Sequence, residues 1–123
     1  MICLDTSILI DYFRKKNKEK TILYALSEKY SFAISVITKF EIWVGADEIQ
    51  REYWNKIFTG FRILSLTEIE TDKASDILKH LKATNKVIEL PDLLIASTAL
   101  TNNLKLATIN KKHFERITDL TIV

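Results

Sequence analysis

Two short runs of almost wholly apolar residues, ICL at 2–4 and FAISV at 32–36, sit between longer stretches whose apolar residues recur at helical spacing. A strand that is apolar on both sides must be covered on both sides, and helices alternating with such strands do the covering. The alternation therefore points to an α/β fold with a mainly parallel sheet between helices on its two faces. Two glycines and one proline in 123 residues leave few tight turns. That disfavours an all-β sandwich and favours long helices with short connections.

Along the chain the pattern predicts strands at Ile2–Leu4, 32–36, 62–66, 105–108 and 120–123. Helices are expected at Thr6–Arg14, 18–29, 38–46, 47–59, 68–84 and 91–101, with a helical turn at 112–117. Ile22, Leu23 and Leu26 share one face of the second helix, and Ala74, Ile77, Leu78 and Leu81 share a face of the fifth. No linker, repeat or low-complexity stretch interrupts the pattern. The length fits one domain, residues 1–123, with room for a substantial core.

In open parallel sheets, ligands bind in the crevice outside the carboxyl ends of the strands. Asp5 falls there, between an apolar strand and an apolar helix. Glu41 is expected in the first turn of the helix after the second strand, Asp92 at the start of the apolar helix, and Thr108 and Asn110 after the fourth strand. Each has an ordinary explanation. Asp5 suits a helix N-cap. Thr38-Lys39-Phe40-Glu41 fits a capping box, and Asp92 beside Pro91 suits the positive end of a helix dipole.

Together these explanations weaken, because three carboxylates gathered at one rim repel one another. A divalent cation resolves that repulsion. Hard cations such as Mg²⁺ and Mn²⁺ take oxygen ligands, and Mg²⁺ keeps several waters beside one or two carboxylates. Asp5, Glu41 and Asp92 are therefore candidate metal ligands, with the Asn110 amide oxygen acting directly or through water. Thr6, Ser7 and Thr108 supply short hydroxyls that could orient the carboxylates.

The remaining features are plainer. A net charge of +2 does not by itself mark a nucleic-acid binder. The cluster Arg14-Lys15-Lys16-Asn17-Lys18, with Lys20 beyond it, reads as a solvated loop. Cys3, the only cysteine, reads as a small buried thiol. The first apolar stretch carries Asp5 and Asp11 and no basic leader, so neither a signal peptide nor a membrane span is expected, and a cytoplasmic protein is. Lys111, Lys112 and Arg116 could contact nucleic-acid phosphates, although a solvated helix face suits each alone. His113 reads as a structural contact in the KKHF turn and His80 as surface. Trp43, Tyr53, Trp54 and Phe58 suit a core or a dimer interface.

Four stretches in order, LDTSILIDY, TKFEIWVGA, PDLLIASTAL and LATINKKHF, make the chain resemble a PIN domain over essentially its whole length. It is most similar to the small bacterial and archaeal toxins of the VapC type. The resemblance implies a three-layer α/β/α sandwich around a central, mainly parallel sheet. It implies metal-dependent endoribonuclease activity, with Asp5, Glu41 and Asp92 in the positions of the acidic centre. It also implies a homodimer and a small antitoxin partner that wraps the toxin and obstructs its site. Asn110 matches a fourth position that is often Asp in related chains, so this site carries one negative charge fewer.

The expected chemistry is hydrolysis of an RNA phosphodiester with one or two Mg²⁺ or Mn²⁺ ions. Two rival readings belong to other classes. A degenerate PIN module that binds RNA or a protein without cleaving is disfavoured by retention of all three carboxylates. A phosphate-handling enzyme with a phosphoacceptor aspartate would need a dedicated lysine and an oxyanion-binding loop, and neither is found.

Overall fold

The computed structural model describes residues 1–123. Its sheet has four strands, β1 (Ile2–Leu4), β2 (Phe32–Ser35), β3 (Arg62–Leu64) and β4 (Leu106–Ala107), in the order β3-β2-β1-β4. All three pairings are parallel, with Cys3 beside Ala33 and Leu106, and Ala33 beside Arg62. Seven helices accompany them: α1 (Thr6–Arg14), α2 (Ile22–Ser27), α3 (Val36–Val44), α4 (Glu48–Phe58), α5 (Glu68–Ala83), α6 (Leu90–Thr101) and α7 (Lys111–Phe114).

The period of two in the strands divides the interior into two cores. Cys3, Ala33, Leu64 and Leu106 face one way and pack with Ala74, Ile77 and Leu81 of α5 and Ile95, Ala96 and Ala99 of α6. Ile2, Leu4, Phe32 and Ile34 face the other way, onto Ile8 and Leu9 of α1 and Trp54 and Phe58 of α4. The expected three-layer sandwich is what forms. Trp54 and Phe58 are core residues, their rings stacked 5.7 Å apart, while Tyr53 and Trp43 pack against that core from its edge. Buried deeply in this way, each large ring contributes on the order of 2–3 kcal/mol.

Four local expectations need correction. The helix expected at 18–29 is a short 3-10 turn at Lys18–Lys20 followed by α2, because Thr21 takes an extended conformation and its hydroxyl caps the Tyr24 N–H at 3.2 Å. The basic cluster before it is not simply solvated. Lys18 Nζ donates to the carbonyls of Tyr12, Phe13 and Lys15 at 2.6, 3.1 and 2.8 Å, closing the end of α1.

The helix expected from residue 38 begins at Val36 instead. Ser35 Oγ accepts from the Ile37 N–H at 2.8 Å, so Ser35 is the cap, and Thr38 and Glu41 form no capping box. Glu41 therefore lies in the second turn, not the first. Lastly, the strand expected at 120–123 reduces to one parallel bridge, Leu106 with Ile122. With only two residues in β4, little edge is left to pair, and the hydrogen bond from the Leu120 N–H to the Ile117 carbonyl keeps the chain in a turn until just before it.

The strand order places a topological switch beside β1: the chain winds from β1 through β2 to β3 on one side, then crosses by way of α5 and α6 to β4 on the other. A crevice opens at such a point, at the carboxyl ends of the strands. Asp5 follows β1 and Thr108 follows β4, so both stand at its mouth.

Candidate functional site

Asp5 is both a cap and the centre of a hydrogen-bonded web. Its side chain is buried, at 2 % exposure, and Oδ1 accepts from the Thr6 N–H at 2.8 Å. Oδ2 accepts from Ser7 Oγ at 2.8 Å and from Thr108 Oγ1 at 2.7 Å. Ser7 Oγ in turn accepts from the Ile109 N–H at 3.1 Å, and Thr108 Oγ1 from the Asn110 N–H at 3.0 Å. The web fixes the carboxylate against β4 as well as against its own helix.

Glu41 joins through α1. Its Oε1 accepts from Thr6 Oγ1 at 2.7 Å, and Thr6 Oγ1 also lies 3.1 Å from the fully buried Thr38 hydroxyl. Thr6 has one hydroxyl proton, and the shorter contact to a carboxylate is the stronger claim on it. Thr38 is the site residue that sequence reading missed as such. It was legible only as a capping partner, because nothing in sequence spacing shows that residues 6 and 38 meet.

Asp92 stands in the first turn of α6, with its side chain 20 % exposed. Its carboxyl is pushed up to about 6, by burial first and then by the charges of Asp5 and Glu41. His113 opposes that rise, its Nδ1 standing 3.8 Å from Asp92 Oδ2. The histidine read as a structural contact is thus an electrostatic neighbour of the acidic rim. Beneath the rim, burial and then the Asp5 charge hold the Cys3 thiol neutral, pushed up to about 12.

The other expected residues divide. Asn110 leads into α7 with an exposed side chain that makes no capping bond, and it is tied to the web through its main chain. Lys111 and Lys112 are exposed on α7. Arg116 is not free: its guanidinium donates to the Val87 carbonyl at 2.8 Å and braces the segment before α6.

Three carboxylates and short hydroxyls form a donor set of hard oxygens, as Mg²⁺ or Mn²⁺ requires. Asp5 accepts three hydrogen bonds, leaving one of its roughly four acceptor directions open. The charge of Asp5 and Glu41 that bears on Asp92 is what a cation would offset. No three His, Cys, Asp or Glu side chains converge tightly enough to grip an ion by themselves. That accords with a cation held by one or two carboxylates with water completing its shell. The residues fit such an ion.

A family profile described as the PIN domain matches residues 2–120. Ribonuclease VapC1 of Methanocaldococcus jannaschii is 40% identical over 117 residues, covering 94% of this chain and 80% of that protein. Among solved structures, a chain of VapBC-1 from nontypeable Haemophilus influenzae matches with a TM-score of 0.85 at 29% identity, covering 100% of this chain and 97% of that one. A chain of a toxin-antitoxin complex from Klebsiella pneumoniae matches with a TM-score of 0.80 at 30% identity, covering 100% and 96%.

Proposed function

The chain belongs to the PIN-domain family, and on that premise we propose that it is a divalent-metal-dependent endoribonuclease, the toxin of a toxin–antitoxin pair. One observation carries the reading: at the sheet's switch point the Asp92 carboxyl rises to about 6, through burial first and then through the charges of Asp5 and Glu41.

In this reading Asp5, Glu41 and Asp92 would hold Mg²⁺ or Mn²⁺, one or two of them directly and the rest through water, with Asn110 reaching it directly or through water. The ion, when bound, polarises a phosphoryl oxygen, acidifies water and offsets charge on the leaving oxygen. The chain's own part is positioning. Thr6, Ser7 and Thr108 lock the Asp5 carboxylate, and Thr6 also aims Glu41, so the rim does not reorganise as charge develops. Lys111 and Lys112, exposed at the head of α7, attract the RNA backbone. His113 lies close enough to Asp92 to temper its charge.

Two surfaces support the proposed partners. An apolar groove lined by Ile10, Phe13, Ile42 and Trp54 reaches Glu41, and an antitoxin segment seated there would obstruct the acidic rim. On α3, Phe40 and Val44 are 64 % and 72 % exposed, a face suited to a second copy. No helix is long and apolar enough to cross a membrane.

The test is cleavage of structured RNA by the purified protein with Mg²⁺ or Mn²⁺ and with chelator. Metal-dependent cleavage that is lost in Glu41→Gln is expected. A wild-type protein that leaves RNA intact at millimolar metal overturns the proposal.

A further inference from the structure

A second groove leaves the acidic rim along α1, and it shares Ile10 and Arg14 with the first. Its volume is about 440 Å³, and it is lined by Ser7, Ile10, Asp11, Arg14, Lys15 and Ile109. Ser7 ties it to the site, since Ser7 Oγ donates to Asp5 Oδ2. Ser7, Ile10 and Arg14 stand at positions i, i+3 and i+7 of α1, which lie on one helical face. The groove therefore runs from the acidic rim along the helix toward Arg14. At 1.5 Å per residue, Arg14 is about 10 Å along α1 from Ser7. That is the distance of a flanking nucleotide, not of the reacting phosphodiester.

Its charges are not equivalent. Asp11 and Lys15 neutralise each other: Lys15 Nζ lies 2.8 Å from Asp11 Oδ1, and Asp11 Oδ2 also accepts the Ile22 N–H. Hydrogen bonding to Lys15, the first cause, holds the Asp11 carboxyl below its usual range. The one other close approach of a basic to an acidic side chain is that of His113 Nδ1 to Asp92 Oδ2, at 3.8 Å. Arg14 is exposed and has no ion-pair partner, so it is the one free charge of the groove. Between Arg14 and the rim the floor is aliphatic, formed by Ile10 and by Ile109, which is 47 % exposed. An apolar floor ending in a free guanidinium complements a nucleobase with its phosphate.

Resting on the ribonuclease reading above, we infer that this groove is the subsite for the RNA nucleotide flanking the scissile bond, with Arg14 as its phosphate anchor. The competing explanation is that Arg14, in the last turn of α1, merely complements the helix dipole. A dipole role changes stability slightly and leaves RNA untouched.

The experiment titrates labelled single-stranded RNA into wild type, Arg14→Ala and Arg14→Lys in chelator across a range of salt, with thermal melts in parallel. Arg14→Ala should weaken binding several-fold and reduce the log–log salt slope by about 0.7, one single-strand phosphate contact. Arg14→Lys should recover the slope but not the full affinity, because lysine lacks the planar fork. In cleavage, the alanine variant should raise KM more than it lowers kcat. An oligonucleotide shortened on one side of the cut should make wild type and variant alike, and shortening on the other side should not. Unchanged RNA affinity and salt slope in a folded Arg14→Ala protein overturn the inference. So does a variant that loses only affinity for a protein partner. Cleavage by the wild type is scored separately, so failure of the ribonuclease reading is told apart from failure of this one.

Discussion

Thr108 Oγ1 donates a 2.7 Å hydrogen bond to Asp5 Oδ2, joining the ends of β4 and β1 across 103 positions of sequence. Both residues are buried, at 3 % and 2 % exposure. A buried carboxylate deprived of a donor loses more than an exposed one would, because water does not replace the bond.

Thr108→Val keeps the shape and removes the hydroxyl. It should cost roughly 1.5–3 kcal/mol in chemical denaturation, the range for a hydrogen bond to a charged group. Thr108→Ser, which keeps the oxygen, should recover most of that. A valine variant as stable as wild type would mean that the bond does not hold the rim.

Asp92→Asn should abolish cleavage and yet leave a more stable fold in chelator at pH 7. The sign follows from the raised carboxyl, at about 6 against its usual 3.8. Below about pH 4 the group is protonated whether the chain is folded or not. Between pH 4 and 6 the folded chain holds more protons than the unfolded one, so wild-type stability falls as pH rises, and above 6 the loss is complete. The asparagine variant escapes it. Melting curves should therefore diverge through that window, with the variant higher at pH 7. Parallel curves from pH 4 to 7 would show that Asp92 is not crowded by Asp5 and Glu41.

Adding Mn²⁺ should raise the melting temperature of wild type, by about 1.4 kcal/mol of stabilisation at ten times its Kd. Asp5→Asn keeps an oxygen for the helix cap and removes a charge, so this shift should shrink while the fold persists. Asn110→Asp adds a charged oxygen at the α7 cap and should enlarge it. If calorimetry finds Mn²⁺ affinity unchanged in Asn110→Asp, residue 110 does not reach the ion.

Lys18→Met should destabilise the protein by about 1 kcal/mol, because it removes the ammonium that three carbonyls at the end of α1 share. Lys16→Met, at an exposed neighbour, should change stability little. Equal effects would show that Lys18 acts only through net charge.

Local pattern made much of this molecule legible from sequence. Apolar runs of three to five residues alternating with helical periods determined the layers, the strand at Ile2–Leu4, the strand expected at 32–36 that ends one residue earlier at Ser35, and the sided helix α5. The acidic candidates Asp5 and Asp92 could be placed because both stand where an element begins, and chain order alone sets those points. Glu41 was misplaced by a turn, since the choice between Ser35 and Thr38 as cap depends on which hydroxyl is free. Thr38 was not free, being buried against Thr6 from another helix. Contacts between residues far apart in the chain were likewise beyond local reading. The Thr108 bond to Asp5 and the approach of His113 to Asp92 depend on how the whole chain packs around the strand order β3-β2-β1-β4. Periodicity reports which side of an element is buried; only the packing of the whole chain decides what lies opposite.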